Sequence, residues 1–270
     1  MIFNSSIAKM LIIKLMTDIY NNNSYLEKNP TLHTEDSEFK FENIRGFLSS
    51  IEVKNNRIKI LDIGGGAGIV GKLVLEFFLD SGNIVTFHSL DLSKEMLKIQ
   101  LKNNPQIKKI INCSINQCTE LNYDLVLMID VIEHIEEKED TAKILNKIGK
   151  NIIYNIPIEI NFFDILKYLK SYFRYYKRQK KRWGHVHFFS FKSSQSFLRR
   201  HHKIINSYFK PYCFHYRYSD YEGYLKLRRD FLWNLELKIS CWIFNHFPTI
   251  SKYLIQGSNY SLVKTKNTFS

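Results

Sequence analysis

The stretch KILDIGGGAGIVGK, residues 59–72, decides the fold. It joins RIKILDI (57–63), a short apolar run ended by glycines, to IVGKLVLEFFLD (69–80), whose apolar spacing is helical. A buried strand that turns through glycines into a helix is the opening unit of a parallel α/β sheet. Two glycine patterns overlap in the turn. Read from Asp62, the pattern is D-x-G-x-G-x-G, ending at Gly68; read from Gly66, it is G-x-G-x-x-G, ending at Gly71.

Outward from this turn the same rhythm repeats. IVTFHSLDL (84–92), IKKIINCSI (107–115), YDLVLMIDVI (123–132) and NIIYNIPI (151–158) read as four more strands. Helices are expected at 94–104, capped by Ser93 and followed by Pro105, and at 138–150, with Gly149 near the end. A further helix is expected over 44–52. Five strands alternating with helices imply a parallel sheet covered on both faces, with the strand C-termini forming the ligand edge. After Pro157 the pattern changes. Residues 159–183 read as one added helical segment, 185–191 as extended, 192–202 as a helix, 203–209 as a sixth strand, 224–247 as a second helical insertion and 259–266 as a last strand. The chain divides accordingly into an N-terminal helical and lid segment (1–56), a ligand-binding core (57–158), and basic aromatic insertions with the last strands completing the same domain (159–270).

The frame of the glycine turn discriminates between ligands. A dinucleotide loop puts its first glycine directly after the strand. Here the strand ends at Ile63, so the G-x-G-x-x-G frame starts late, whereas the frame that begins with Asp62 sits in register with the strand end. A carboxylate there is compatible with an ammonium or sulfonium ligand and unfavourable to a phosphate. Asp91, at the end of the second strand, can accept hydrogen bonds from both hydroxyls of a ribose. With IDVIEH at the end of the fourth strand, this arrangement resembles class I methyltransferases dependent on S-adenosyl-L-methionine (SAM), and most of all the broad group that includes ubiquinone-biosynthesis-type enzymes. YLEKNPTLHTEDSEFKFENI (25–44) resembles the leader segment of that group, HVHFFSFKSSQSFLRRHHKII (185–205) its stretch after the fifth strand, and GSNYSLVKTK (257–266) its closing antiparallel strand.

The resemblance implies a Rossmann-like seven-stranded sheet, mostly parallel with an antiparallel last strand, with helices on both faces and C-terminal helical insertions. It further implies that Asp62, Gly64, Gly65, Gly66 and Gly68 cradle the methionine half of SAM, that Asp91 holds the ribose, that Leu92 packs on the adenine, and that Asp130 lies under the methionine moiety. The group often has an acid at the end of the third strand; this chain has NCSIN, so Ser114 or backbone amides must substitute. The activity implied is methyl transfer to oxygen of a small molecule, sugar or lipid-linked glycan. An RNA methyltransferase and a non-catalytic SAM-fold scaffold are the alternatives. IDVIEH in place of an N-P-P-Y-type signature disfavours base N-methylation.

Methyl transfer from a sulfonium needs alignment and exclusion of water, and a hydroxyl acceptor benefits from a base near neutral pKa. Four histidines are candidates: His134 after the fourth strand, His185 and His187 on one face of an extended segment, and His33 in a lid. Each has a structural alternative: His134 a loop residue bonded to Glu133, the 185/187 pair packed among phenylalanines, His33 a solvated loop residue. Tyr25 and Lys40 are weaker candidates, and Glu133 is expected to fix its loop by capping.

Charge is uneven. Residues 1–150 carry 18 Lys/Arg and 20 Asp/Glu, whereas 151–270 carry 21 and 6. Such a basic half attracts an anionic partner or surface. KSYFRYYKRQKKRW (170–183) holds seven Lys/Arg, no acid and interleaved aromatics. It reads as a solvated helix face, as a segment lying on an anionic membrane, or, less readily, as a nucleic-acid grip. Cys113, Cys118, Cys213 and Cys241 form no C-x-x-C pair, so no metal is expected from them, and free thiols suit a reducing cytoplasm. Lys9 and Lys14 interrupt the apolar N-terminus, which reads as an amphipathic helix rather than a targeting signal. The expected location is cytoplasmic, at most peripheral at the inner face of a membrane.

Overall fold

A computed structural model describes residues 31–266 of the 270-residue chain. The N-terminal stretch expected to be an amphipathic helix, and Tyr25, lie outside the described residues. The first strand and helix fall where the sequence puts them: β1 is Arg57–Ile63 and, after the glycine turn, α2 is Ile69–Asp80; α1, Ser37–Leu48, precedes them. β2 (Ile84–Asp91), α3 (Lys94–Asn103), β3 (Lys109–Asn112), β4 (Tyr123–Ile129), α4 (Lys138–Ile148) and β5 (Gly149–Ile158) follow. Ser93 caps α3, its side chain accepting the Met96 N–H at 3.3 Å.

The seven strands are ordered β3-β2-β1-β4-β5-β7-β6, where β6 is Lys203–Pro211 and β7 is Gly257–Lys264. β1 to β5 pair in parallel, and β7 runs antiparallel between β5 and β6. The Rossmann-like sheet with its antiparallel last strand is thus present. β4 is buried on both faces: Leu125, Val126, Leu127 and Met128 are all 0% exposed. Each such side chain contributes about 1.5–3 kcal/mol of hydrophobic stabilisation. Two apolar clusters cover the sheet, one around Val126, Tyr154 and Phe197, the other around Ile60, Phe78 and Tyr260. Two buried tyrosines find partners: Tyr123 Oη lies 2.9 Å from His88 Nδ1, and Tyr154 Oη lies 2.9 Å from His202 Nε2.

Three expectations are corrected. The segment 159–183 is not one helix but two, α5 (Phe162–Lys170) and α6 (Tyr175–Trp183). Tyr172 and Phe173 break it with φ of 51° and 65°, and the end of α5 is closed by main-chain bonds from Ser171 and Phe173. The second insertion also divides. After α7 (Phe191–His201) and β6 come α8 (Cys213–Tyr218), α9 (Glu222–Arg228), α10 (Phe231–His246) and α11 (Pro248–Leu254). Asp230 starts α10 by accepting the Trp233 N–H at 2.8 Å. Finally, the extended stretch stops short of 191, where α7 begins; within it Phe189 bridges to Ile158 and packs into the core.

Candidate functional site

The site gathers at the C-terminal edge of β1, β2 and β4. Asp62 closes β1 and is 3% exposed. Its carboxylate lies under the glycine turn: a Cβ at Gly65 or at Gly71 would strike Asp62 Oδ2, and at Gly71 it would also come within 2.9 Å of Phe87 Cζ. Gly71 is therefore needed for the close approach of α2 to β1 and β2, which explains the second glycine pattern without a dinucleotide. Burial, and then the nearby Asp91, raise the Asp62 pKa to about 7. The turn is tied down by Gly64 N–H to the Leu90 carbonyl and Gly68 N–H to the Gly65 carbonyl, both at 2.8 Å. At Gly66, φ is +56° and a Cβ would meet nothing nearer than the Leu32 carbonyl at 4.0 Å. A side chain there is strained, and the space it would fill is open.

Asp91 is half-buried at the end of β2. Its Oδ1 accepts the Ser93 N–H at 2.8 Å, and Gln100 Nε2 approaches Oδ2 at 3.4 Å. Burial raises its pKa to about 6, against the lowering effect of these donors. Asn112 fixes the strand end by donating to the carbonyls of Asp91 and Leu92. Leu92 is 44% exposed, as an adenine platform would require. Ser114 bonds within its own turn, to Gln117 Oε1.

Asp130 adopts φ of 54° just beyond β4. Asn155 Nδ2 donates to its Oδ1 at 2.6 Å, and Lys40 Nζ lies 2.8 Å from Oδ2. Burial pulls the Lys40 pKa down, but Asp130 and Asp36 more than compensate, so the ammonium is held charged. Val131 reaches back to the glycine turn, 3.0 Å from a Cβ placed on Gly64.

Three of the four candidate histidines meet beside this aspartate. The rings of His134 and His185 are 4.8 Å apart, edge to face. His134 donates to the Gly184 carbonyl, and burial followed by His185 pushes its pKa to about 3. His185 Nδ1 is 2.8 Å from Glu159 Oε2. His33 lies close enough for its charge to act on His134; its ring sits 5.3 Å from Trp183, and its pKa is lowered by burial and then by Lys40. His187 turns away: Lys138 Nζ is 3.2 Å from its Nδ1, and its Nε2 is 3.1 Å from the Glu136 carbonyl. Glu133 does not cap its loop. Its side chain is buried and neither oxygen receives a hydrogen bond from another described residue, while His134 Nε2 stays 4.0 Å from Oε1.

The segment over Gly66 is anchored from the far end of the chain. Asp36 receives His215 Nε2 at 2.8 Å and Tyr224 Oη at 2.6 Å. Burial would raise the Asp36 pKa, but the His215 bond, Lys40 and Tyr224 lower it. Lys40, Glu159, Asn155 and Trp183 belong to this constellation, yet only Lys40 was a candidate from sequence. The others are paired with residues far away in the chain.

The residues fit SAM on two counts: an open cradle at Gly66, and a buried acid at Asp62 that a cationic ligand would relieve. Comparison with known proteins agrees. Residues 61–152 match the family model described as a methyltransferase domain. Among solved structures, a Haloferax volcanii protein assigned as a methyltransferase, in complex with the Trm112 methyltransferase activator, has a TM-score of 0.56 at 10% identity over 94% of this chain and 99% of that one. Phosphoethanolamine N-methyltransferase 2 of Haemonchus contortus, solved with SAM, has a TM-score of 0.55 at 14% identity, over 93% and 60% of the two chains. A protein of Galdieria sulphuraria assigned as a sarcosine dimethylglycine methyltransferase has a TM-score of 0.54 at 14% identity, over 84% of each. No curated protein matches the sequence. At these identities the solved structures speak to the fold.

Proposed function

We propose that this chain, whose residues 61–152 match a methyltransferase domain, is a SAM-dependent methyltransferase that methylates an oxygen of a small molecule, sugar or lipid-linked glycan, with the acceptor received among His33, His134, His185 and Lys40. The carrying observation is the convergence of these side chains, drawn from three separate segments, on the side of Asp130 next to the glycine turn. Asp62 and the glycine turn would hold the methionine half of SAM, and Asp91 its ribose. Bound SAM supplies a methyl group already activated on a sulfonium, so the protein's work is alignment and proton removal. His33 is kept neutral at pH 7 by burial and Lys40, and neutral imidazole is the form that takes up a hydroxyl proton. Asp130 and Asn155 fix Lys40, and the roof from Leu32 to Asp36 limits access of water.

A panel of hydroxylated acceptors with labelled SAM tests this reading. With an accepted compound, His33→Ala is expected to lower kcat by about 10²-fold or more while SAM affinity stays unchanged. Activity should fall on the acid side of the ordinary histidine pKa, since His33 is shifted below it. Amine acceptors turned over in preference to alcohols would overturn the oxygen assignment.

The same reading includes peripheral contact with an anionic membrane. Helix α5 exposes Phe162, Ile165 and Leu169, and α10 exposes Phe231, Leu232 and Trp242. The two helices are joined by the Lys167–Glu236 ion pair at 2.6 Å and by Phe163, which packs on the cluster of Leu237 and Cys241. Helix α6 follows α5 with exposed Lys177, Arg178, Lys180, Lys181 and Arg182. Apolar side chains beside a cationic helix match a surface of anionic lipid. No helix among the described residues is long and apolar enough to cross a membrane. In flotation, the protein is expected to rise with anionic vesicles and not with neutral ones. Each cation removed from α6 should cost about 1 kcal/mol of binding. Equal recovery with both vesicle types removes the idea, and preferential binding to bulk tRNA would favour an RNA acceptor.

A further inference from the structure

We infer that Glu133, His134 and His185 form a binding site for a divalent transition-metal ion of the zinc type. One ligating atom from each of the three lies within 4.8 Å of the others. A tetrahedral ion with bonds near 2.1 Å holds its ligand atoms about 3.4 Å apart. Side-chain rotation closing at most about 1.4 Å would therefore complete the set.

Two independent features point to a cation rather than to packing. Glu133 is 0% exposed, and neither carboxylate oxygen receives a hydrogen bond from any other described residue. Such a group is costly to bury unless something absent from the protein itself satisfies it. The histidines also carry the outer contacts typical of metal ligands, whose second ring nitrogen donates to a carboxylate or a backbone carbonyl. Glu159 holds His185 Nδ1 at 2.8 Å, and among the described residues no hydrogen bond engages Nε2. Gly184 accepts from His134, whose Nε2 faces Glu133.

The charge balance agrees. Among the charged groups acting most strongly on Glu133, Asp130 and Glu159 add to its charge and Lys40 opposes it, so carboxylates outnumber ammonium groups. Two imidazoles and one carboxylate suit zinc and its first-row neighbours; magnesium and calcium prefer oxygen donors. Three protein ligands leave a coordination position open. Within the methyl-transfer reading above, that position suits an acceptor oxygen; the binding itself does not rest on that reading.

The test uses the full chain, dialysed against chelator and kept reduced. Titration with zinc chloride is followed by calorimetry, and cobalt(II) absorption reports the ligand types. One equivalent should bind, with d–d bands and no thiolate charge-transfer band. Loss of a ligand in Glu133→Gln or His185→Ala should exceed the about 10–100-fold weakening expected of Glu159→Gln, which disturbs only an outer contact. His33→Ala and His187→Ala should bind as the parent does. Glu133→Gln preserves shape, so it and Glu159→Gln carry the test if His185→Ala does not fold. Absence of a tight equivalent, a thiolate band, or parental affinity in Glu133→Gln would overturn the site. Calorimetry with SAM alone is a separate measurement, so failure of one leaves the other standing.

Discussion

Replacing Asp91 by alanine is expected to weaken SAM binding on the order of 100-fold. The carboxylate spends one oxygen on the Ser93 amide at 2.8 Å, and the Gln100 contact at 3.4 Å is long. Its remaining acceptor capacity lies open at the sheet edge, where two ribose hydroxyls can donate. A hydrogen bond to a charged acceptor contributes about 1.5 kcal/mol or more, and two such bonds give the stated factor. Asp91→Asn keeps an oxygen for Ser93 and should lose less. Calorimetry with SAM and with NADH measures both: NADH should not bind the parent. Unchanged SAM affinity in Asp91→Ala would remove the ribose assignment, and NADH binding without SAM binding would overturn the choice of glycine frame.

Asp62→Asn is expected to stabilise the ligand-free protein as pH rises, while lowering its affinity for SAM. Burial and Asp91 raise the Asp62 pKa to about 7 from an ordinary 3.8. The unfolded chain releases this proton near pH 4 and the folded chain only near pH 7. Stability is therefore fully present below pH 4 and declines through that window, levelling off above it. At about 1.4 kcal/mol per pKa unit the decline amounts to about 4 kcal/mol. The asparagine variant escapes it, so its melting temperature should exceed the parent's by up to about 10 °C at pH 8, with little difference at pH 4. The carboxylate is then a feature that costs stability in return for a place to receive a cationic ligand. Thermal unfolding between pH 4 and 8 checks this; a gap that does not widen with pH would mean that Asp62 ionises freely in the fold.

What could be read in advance follows from range. The glycine turn, β1 and α2 are set by neighbours in sequence: apolar period, strand end, helix start. Their limits at 57–63 and 69–80 match the structure residue for residue. The antiparallel β7 was legible only through resemblance, because an apolar run carries no direction. The break at Tyr172 and Phe173 was invisible, since neither Gly nor Pro marks it and the amphipathic spacing runs on through it. The site divides in the same way. Asp62, Asp91 and Asp130 stand at strand ends, which sequence can locate. The contacts that give the histidines their character, Glu159 on His185 and Trp183 beside His33, join residues 26 and 150 positions apart. Glu133 differs from the capping role that local sequence suggests, because Lys40, Glu159 and His185, all distant in the chain, make up its surroundings.

Because His215 and Tyr224 clasp Asp36 from beyond β6, the cover above Gly66 and the helices that secure it must be exchanged together. Grafting a new acceptor preference onto this scaffold by swapping either piece alone would strand a buried carboxylate without its two donors and let the cover swing free. A transplant of residues 31–48 with 212–230 as one matched set would keep the clasp intact.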